Sequence, residues 1–147
     1  MVEISDFEPA DIEDLVLQTQ QLAEMAMVDW RGMVRAAATV GPAWTGRLDG
    51  RVIGCAGVSL SWRGRAHAWC VLSDGIPRCA WVGIHRAVAD RLERLAELGV
   101  WRLEAETALG FRPGIRWLTL LGFEREGTAR GFGPGGEDFV RFARVTL

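Results

Sequence analysis

The residues of this chain best suited to chemistry are few. Cys55, His67, Cys70, Cys79 and His85 are of the types that bind zinc. Their spacing argues against it. His67 and Cys70 lie three apart on an extended stretch and so point to opposite faces. Cys79 and His85 lie six apart on a helical stretch, about 240° around it. Three cysteines, an odd number, also argue against a disulfide framework. Buried, inert thiols and a packed histidine are expected, and no metal. A second place is the turn Ser73–Gly83, which carries Arg78 and leads from a strand into a helix. Free N–H groups at a helix N-terminus favour an anionic ligand. The chain has no Lys, which excludes a lysine nucleophile or Schiff base, and it has no Tyr against seven Trp.

The elements that must hold these residues centre on His67–Glu106. Strand Ala66–Leu72, helix Cys79–Leu98 and strand Trp101–Thr107 form a right-handed βαβ crossover. The helix is marked by Trp81, Ile84, His85, Val88, Leu92, Leu95 and Leu98, which recur at helical spacing. Asp90–Arg94 and Arg94–Glu97 supply ion pairs on its wet face, and Gly99 ends it as a left-handed C′ residue. Upstream, Val2–Phe7 reads as a strand, and Pro9 opens a helix with Ile12, Leu15, Val16, Leu22 and Ala23 as its apolar stripe. Glu3, Asp6, Glu8, Asp11, Glu13 and Asp14 make this end acidic, either as a solvated face matched to the helix dipole or as a docking patch. A second helical piece near Met25–Ala38 presents Met25, Met27, Trp30 and Met33, as core or as a cleft wall.

Ala43–Leu48 and Arg51–Leu60 form a hairpin across Asp49-Gly50, a type I′ turn signal. Ser61–Arg65 reads as a loop. Downstream come a short helix Ile115–Leu121 ended by Gly122, a strand Phe123–Gly131, and a last strand Asp138–Val145 with Phe139, Arg141, Ala143 and Val145 on one side. The order β-α-α-β-β-β-α-β-α-β-β implies an α/β (α+β) fold: a mixed, mostly antiparallel sheet of about seven strands with helices on both faces. Residues 1–147 fit a single domain. With 17 basic and 19 acidic residues, the net charge of −2 gives no electrostatic case for nucleic acid or an anionic membrane. No apolar run has the length of a membrane span, and the N-terminus lacks signal-peptide character. A cytoplasmic protein is expected.

The order of elements, with Asp49-Gly50 in the first hairpin, Glu97-Leu98-Gly99-Val100 closing the central helix and Trp117–Phe123 (WLTLLGF) before the last hairpin, resembles the GNAT superfamily of acyl-CoA-dependent N-acetyltransferases over essentially the whole chain. Ala43-Trp44-Thr45, Trp69 with Ser73-Asp74, Arg116-Trp117-Leu118 and Gly133–Gly136 before Phe139 are similar to a phage-encoded GNAT-like group that includes a small internal virion protein of short-tailed phages. That narrower resemblance implies a place in a phage particle, with a protein partner or homo-oligomer.

The wider resemblance implies acetyl-CoA as cofactor. Its pantetheine arm would lie along strand Ala66–Leu72, reaching Val71, Leu72 and Ser73. Its pyrophosphate would lie on a loop of the form Arg/Gln-x-x-Gly-x-Gly/Ala, which counting back from Gly99 puts at Cys79–Ile84. The residues implied there are Arg78, Cys79, Ala80, Val82 and Gly83. Only Gly83 is a glycine, one place out of register, so the close backbone approach that phosphate needs is compromised. The tyrosine that many members use as acid is matched by Leu118. Glu104 and Glu106, two apart on one face of the second crossover strand, are the implied general bases; as ordinary surface residues they would pair with Arg102 or Arg116, or face water. The chain is therefore expected to be acetyltransferase-like but to bind acetyl-CoA weakly or not at all.

Overall fold

A computed structural model describes residues 1–147. Seven strands make one sheet in the order β1-β2-β3-β4-β5-β7-β6. They are β1 (Val2–Asp6), β2 (Ala43–Leu48), β3 (Arg51–Trp62), β4 (Arg65–Leu72), β5 (Arg102–Ala108), β6 (Glu124–Ala129) and β7 (Phe139–Val145). The helices are α1 (Thr19–Met25), α2 (Trp30–Ala38), α3 (Ala80–Glu97) and α4 (Arg112–Leu120). All neighbouring strands are antiparallel except β4 and β5, joined by the α3 crossover.

Each half of the sheet follows from local sequence. Asp49 and Gly50 both take positive φ, 50° and 80°, the geometry a type I′ hairpin demands. α3 lays Ile84, Leu92 and Leu95 on one face of the sheet; Leu92 and Leu95 join Ala66, Leu103, Ala105, Val140 and Phe142 in the main core. Gly99 ends the helix with φ 93°. On the opposite face the segment before α2 buries Ile12, Leu15 and Leu17 with Trp30, Val34 and Val71. Between α3 and the sheet, small residues including Gly46, Gly54, Ala56 and Ala87 leave a mostly apolar cavity of about 60 Å³.

Several boundaries differ from the sequence reading, each for a local reason. Pro9 opens a 3₁₀ turn over Pro9–Ile12 rather than a long helix. Leu15 and Leu17 are buried while Val16 is 59% exposed, the alternation of an extended chain, and Leu17 bridges to Ser73. Leu22 and Ala23 of the expected stripe face water. Asp11, expected on an acidic outer end, is buried. Its carboxylate accepts from the Thr45 hydroxyl and from Arg47 Nη2, both at 2.5 Å. Burial works to raise this carboxyl, but those partners and the Glu8 N–H hold it below the usual carboxylate range.

Of the second helical piece, Trp30 is core, whereas Met27 and Met33 are exposed. The expected loop Ser61–Arg65 is a two-residue turn, because β3 runs on to Trp62. Leu98, the last residue of the α3 stripe, is 82% exposed because it caps the helix beyond the sheet. Trp69, Trp81, Val88, Trp117 and Leu118 are half-buried. Cys79 is exposed, unlike Cys55, whose thiol burial pushes up to about 11. No helix is long and apolar enough to cross a membrane.

Candidate active site of an acyltransferase fold

The site is built on the one parallel pair. β4 and β5 stay in register only at Arg65–Arg102, Ala66–Leu103 and His67–Glu104, then part. Beyond His67 the edge of β4 that faces β5 has no strand partner. Ser73 N–H bonds Ile53 O on β3, so the alternate residues Leu72 and Cys70 aim their peptide groups into the gap. Buried backbone groups need partners, and the chain supplies its own. Gln21 of α1 donates from Nε2 to Cys70 O and accepts at Oε1 from Leu72 N–H, both at 2.8 Å. The backbone N–H of Gln18 bonds Leu72 O at 2.9 Å.

The N-terminus of α3 faces the same end of the gap. Ala80 N–H bonds Pro77 O at 3.0 Å and Trp81 N–H bonds Arg78 O at 3.3 Å, so two of its first donors are already engaged in a tight turn. Cys79 is the N-cap residue and makes no side-chain cap. Arg78, Cys79 and Val82 are exposed, and Ala80 is buried against Ile53 and Ile84. Gly83 faces inward. A Cβ there would sit 3.2 Å from Val2 Cγ2, so the glycine serves helix–strand packing. Trp81 meets Trp117 of α4 edge to face with centroids 6.3 Å apart, and Trp117 Nε1 donates to His85 Nδ1 at 3.2 Å. Aromatic rings thus bridge α3 and α4. Val71 and Leu72 are buried, and the hydroxyl of Ser73 is buried without a hydrogen-bond partner.

On the sheet face opposite α3, β5, β7 and β6 bring together the charged side chains Arg102, Glu104, Glu106, Glu126 and Arg141. Glu104 is buried and takes both the Arg65 Nε and Nη2 donors, at 3.0 and 3.1 Å, and Arg102 at 3.1–3.2 Å. Burial works to raise the Glu104 carboxyl, but these bonds outweigh it and hold the group below the usual range. Arg102 also bonds Glu126, which together with Glu104 raises its own pKa above the usual arginine value. Glu106 behaves differently. It hydrogen-bonds His67 Nε2 and lies 3.8 Å from Arg141 Nε, its cross-strand neighbour.

The two carboxylates that share a face therefore differ in chemistry. Glu104 is committed to two arginines. Glu106 is linked to an imidazole that reaches solvent, an arrangement able to pass a proton. From sequence alone His67 is a metal ligand or a packed histidine, and nothing local pairs it with a carboxylate. Its place beside Glu106 depends on the parallel register between strands 39 residues apart. No three His, Cys, Asp or Glu side chains gather as a metal ion would require.

Solved structures match this architecture from end to end. The IAA acetyltransferase from Bacillus cereus superposes with a TM-score of 0.75 at 12% identity, over 99% of this chain and 100% of that one. The ribosomal-protein-alanine N-acetyltransferase from Brucella melitensis gives 0.73 at 17%, over 98% and 99%. A GNAT family acetyltransferase from Elizabethkingia anophelis, solved with acetyl-CoA bound, gives 0.70 at 11%, over 99% and 98%.

The fold is that of the GNAT acetyltransferases. No protein-family model matches the sequence, and no curated protein matches it. In GNAT terms the parting of β4 from β5 is the splay expected from the crossover, as the switch-point rule for α/β sheets requires. In this chain Gln21 and Gln18 lie on the β4 edge where the splay would otherwise stand open.

Proposed function

We propose that this chain is an N-acetyltransferase-like protein whose acyl-CoA site is degenerate, so that acetyl-CoA binds no tighter than the high-micromolar range or not at all. The observation that carries this reading is the pairing of Gln21 with Cys70 O and Leu72 N–H. A pantetheine arm along β4 would need those two groups, and would have to displace a bidentate partner already in place. Exchange of one hydrogen-bonded partner for another yields little net free energy.

The phosphates fare no better. With Ala80 and Trp81 N–H groups engaged, the helix dipole and Arg78 remain to attract them. A helix terminus contributes about 0.3–1 kcal/mol to an exposed charge, against about 8 kcal/mol for micromolar affinity. The protein then acts by binding, as a structural or interaction component. The short sequence matches to the phage-encoded group support a place in a phage particle, with a protein partner or another copy of the chain.

A second reading, retained acetylation of an amine, is favoured by the His67–Glu106 pair, which could take the proton of an incoming ammonium. Calorimetric titration with acetyl-CoA separates the two. Heat that saturates only in the high-micromolar range or beyond supports the first. Low-micromolar binding lost in Arg78→Ala restores the enzyme, with Glu106→Gln expected to abolish turnover.

A further inference from the structure

The cavity between α3 and the sheet is set by strand register and helix period together. Cross-strand pairing puts Ile4, Gly46, Gly54 and Leu72 in one row across four strands, with Trp44 and Ala56 in the next. The stripe of α3 above these rows presents Ala87 and Arg91, four residues apart on one side of the helix. Glycine and alanine thus face each other where a close-packed core would carry larger side chains. They leave a space of about 60 Å³, on whose wall Arg91 is the one charged residue.

Arg91 is incompletely held. Its Nη1 donates to Ala87 O one turn back at 3.0 Å, and its guanidinium lies 5.3 Å from the centroid of the Trp44 ring. The Nε–H is buried and has no hydrogen-bond partner. No carboxylate comes within ion-pair distance. Asp90 is bonded to Arg94, and Asp6, the cross-strand partner of Trp44, acts only at longer range. Burial, and then the Arg94 charge, lower the Arg91 pKa against the pull of Asp90 and Asp6. A buried donor without an acceptor is destabilising.

We infer that this cavity is a binding site for a small neutral aliphatic molecule with one oxygen acceptor, its alkyl chain against Gly46, Gly54 and Ala56 and its oxygen on Arg91 Nε. An apolar cavity of about 150 Å³ takes up benzene, so this one has room for about two or three carbons. A purely apolar molecule would fill the space and leave the Nε–H unpaired. An ion would have to leave its water behind. A cation would also meet the guanidinium, and an anion would meet the field of Asp6 and Asp90. The inference is independent of whether acyl-CoA binds, because it uses the α3 side of β1–β3 and not the β4 edge that Gln21 occupies.

The test follows the whole ¹³C,¹⁵N-labelled protein by NMR while propan-1-ol, propionate or propylammonium is added, with dissolved xenon as the apolar probe. Propan-1-ol should shift the Ile4 and Ile53 methyl signals and the Arg91 Nε–H saturably. Half-saturation on the order of millimolar is expected for a ligand of about four heavy atoms. Propionate and propylammonium should bind roughly tenfold more weakly or not at all. Arg91→Met, which removes the donor and keeps the apolar stem, should weaken propan-1-ol several-fold and leave xenon binding unchanged. A Cβ at Gly46 would lie 3.5 Å from Ile4 Cδ1, an ordinary contact, so Gly46→Ala adds a methyl to the cavity without a clash. It should suppress the shifts from both propan-1-ol and xenon.

Methyl shifts that rise linearly, or equally at the exposed Leu120, would overturn the site. Xenon binding without propan-1-ol binding, or propionate binding as tight as that of the alcohol, would overturn the ligand class. Propan-1-ol binding untouched by Arg91→Met would overturn the polar contact. If Gly46→Ala fails to fold, wild-type saturation and the Arg91→Met comparison still decide the matter.

Discussion

The two ends of β4 face the same neighbouring strand and solve opposite problems. At residues 70–72 the strand has lost β5, and its bare peptide groups are taken by Gln21 and Gln18. At residues 65–67 the backbone is paired, and it is the side chains Arg65 and His67 that meet Glu104 and Glu106 on the charged face. The difference is between groups that must be satisfied and groups that water can serve. A buried N–H without a partner costs about 1–3 kcal/mol, so the splay is closed from within. An arginine can remain in water at little cost, so the pairs of the charged face stay partly exposed. The closed end is where the GNAT fold would hold a cofactor; the other end carries the His67–Glu106 pair.

The largest expected effect lies on the packed side. Leu92→Ala should cost about 2–5 kcal/mol in denaturant unfolding, the range for a truncated core leucine. A loss below about half a kilocalorie would mean that α3 packs through another face. Next comes Glu104→Ala, which strands Arg65 and Arg102. Breaking a fully buried pair costs about 3–5 kcal/mol; both arginine side chains here keep 30% exposure, so about 1–3 kcal/mol is expected after screening by solvent.

Acid should act on the same groups. Glu104 and Asp11 are both held below their ordinary values of 4.5 and 3.8. Their contribution is complete above those unfolded-state values and is lost as pH falls through the lower folded-state ones. Glu24, raised chiefly by burial, works the other way, its cost relieved as pH falls. Urea midpoints should therefore drop as pH is lowered below about 4.5, and the drop should be shallower in Glu104→Gln. A flat profile would show that these ion pairs do not hold in solution. The smallest effect belongs to Arg141→Gln, within about 0.5 kcal/mol of wild type, since Arg141 makes no hydrogen bond. A larger loss would mean that its ion pair with Glu106 is structural.

The sequence made the α3 crossover, the Asp49-Gly50 hairpin and the order of strands legible because each rests on local pattern or on a turn with one allowed chemistry. The segment after Pro9 is not legible in the sequence, because Leu15 and Leu17 are spaced for an extended chain inside what resembles a helical stripe, and only the bridge from Leu17 to Ser73 resolves it. Sequence weighed Asp11 as surface because nothing local marks Thr45 and Arg47 as its partners. The site was less legible still. Glu104 and Glu106 could be placed on one face, yet which of them is neutralised by arginine depends on residues 39 positions away. Gln21 gave no signal at all: its partners Cys70 and Leu72 lie 49 and 51 residues on, and any polar residue in a short helix looks alike until the strand edge it serves is known.

The central claim, that the chain's own groups fill the acyl-CoA groove, is tested most directly by one calorimetric comparison of acetyl-CoA binding to wild type and to Gln21→Ala. The account predicts binding no tighter than high-micromolar for wild type, and at least several-fold tighter binding once the Gln21 amide has left Cys70 O and Leu72 N–H to the ligand. Low-micromolar binding to wild type, unchanged or weakened in Gln21→Ala, would contradict it.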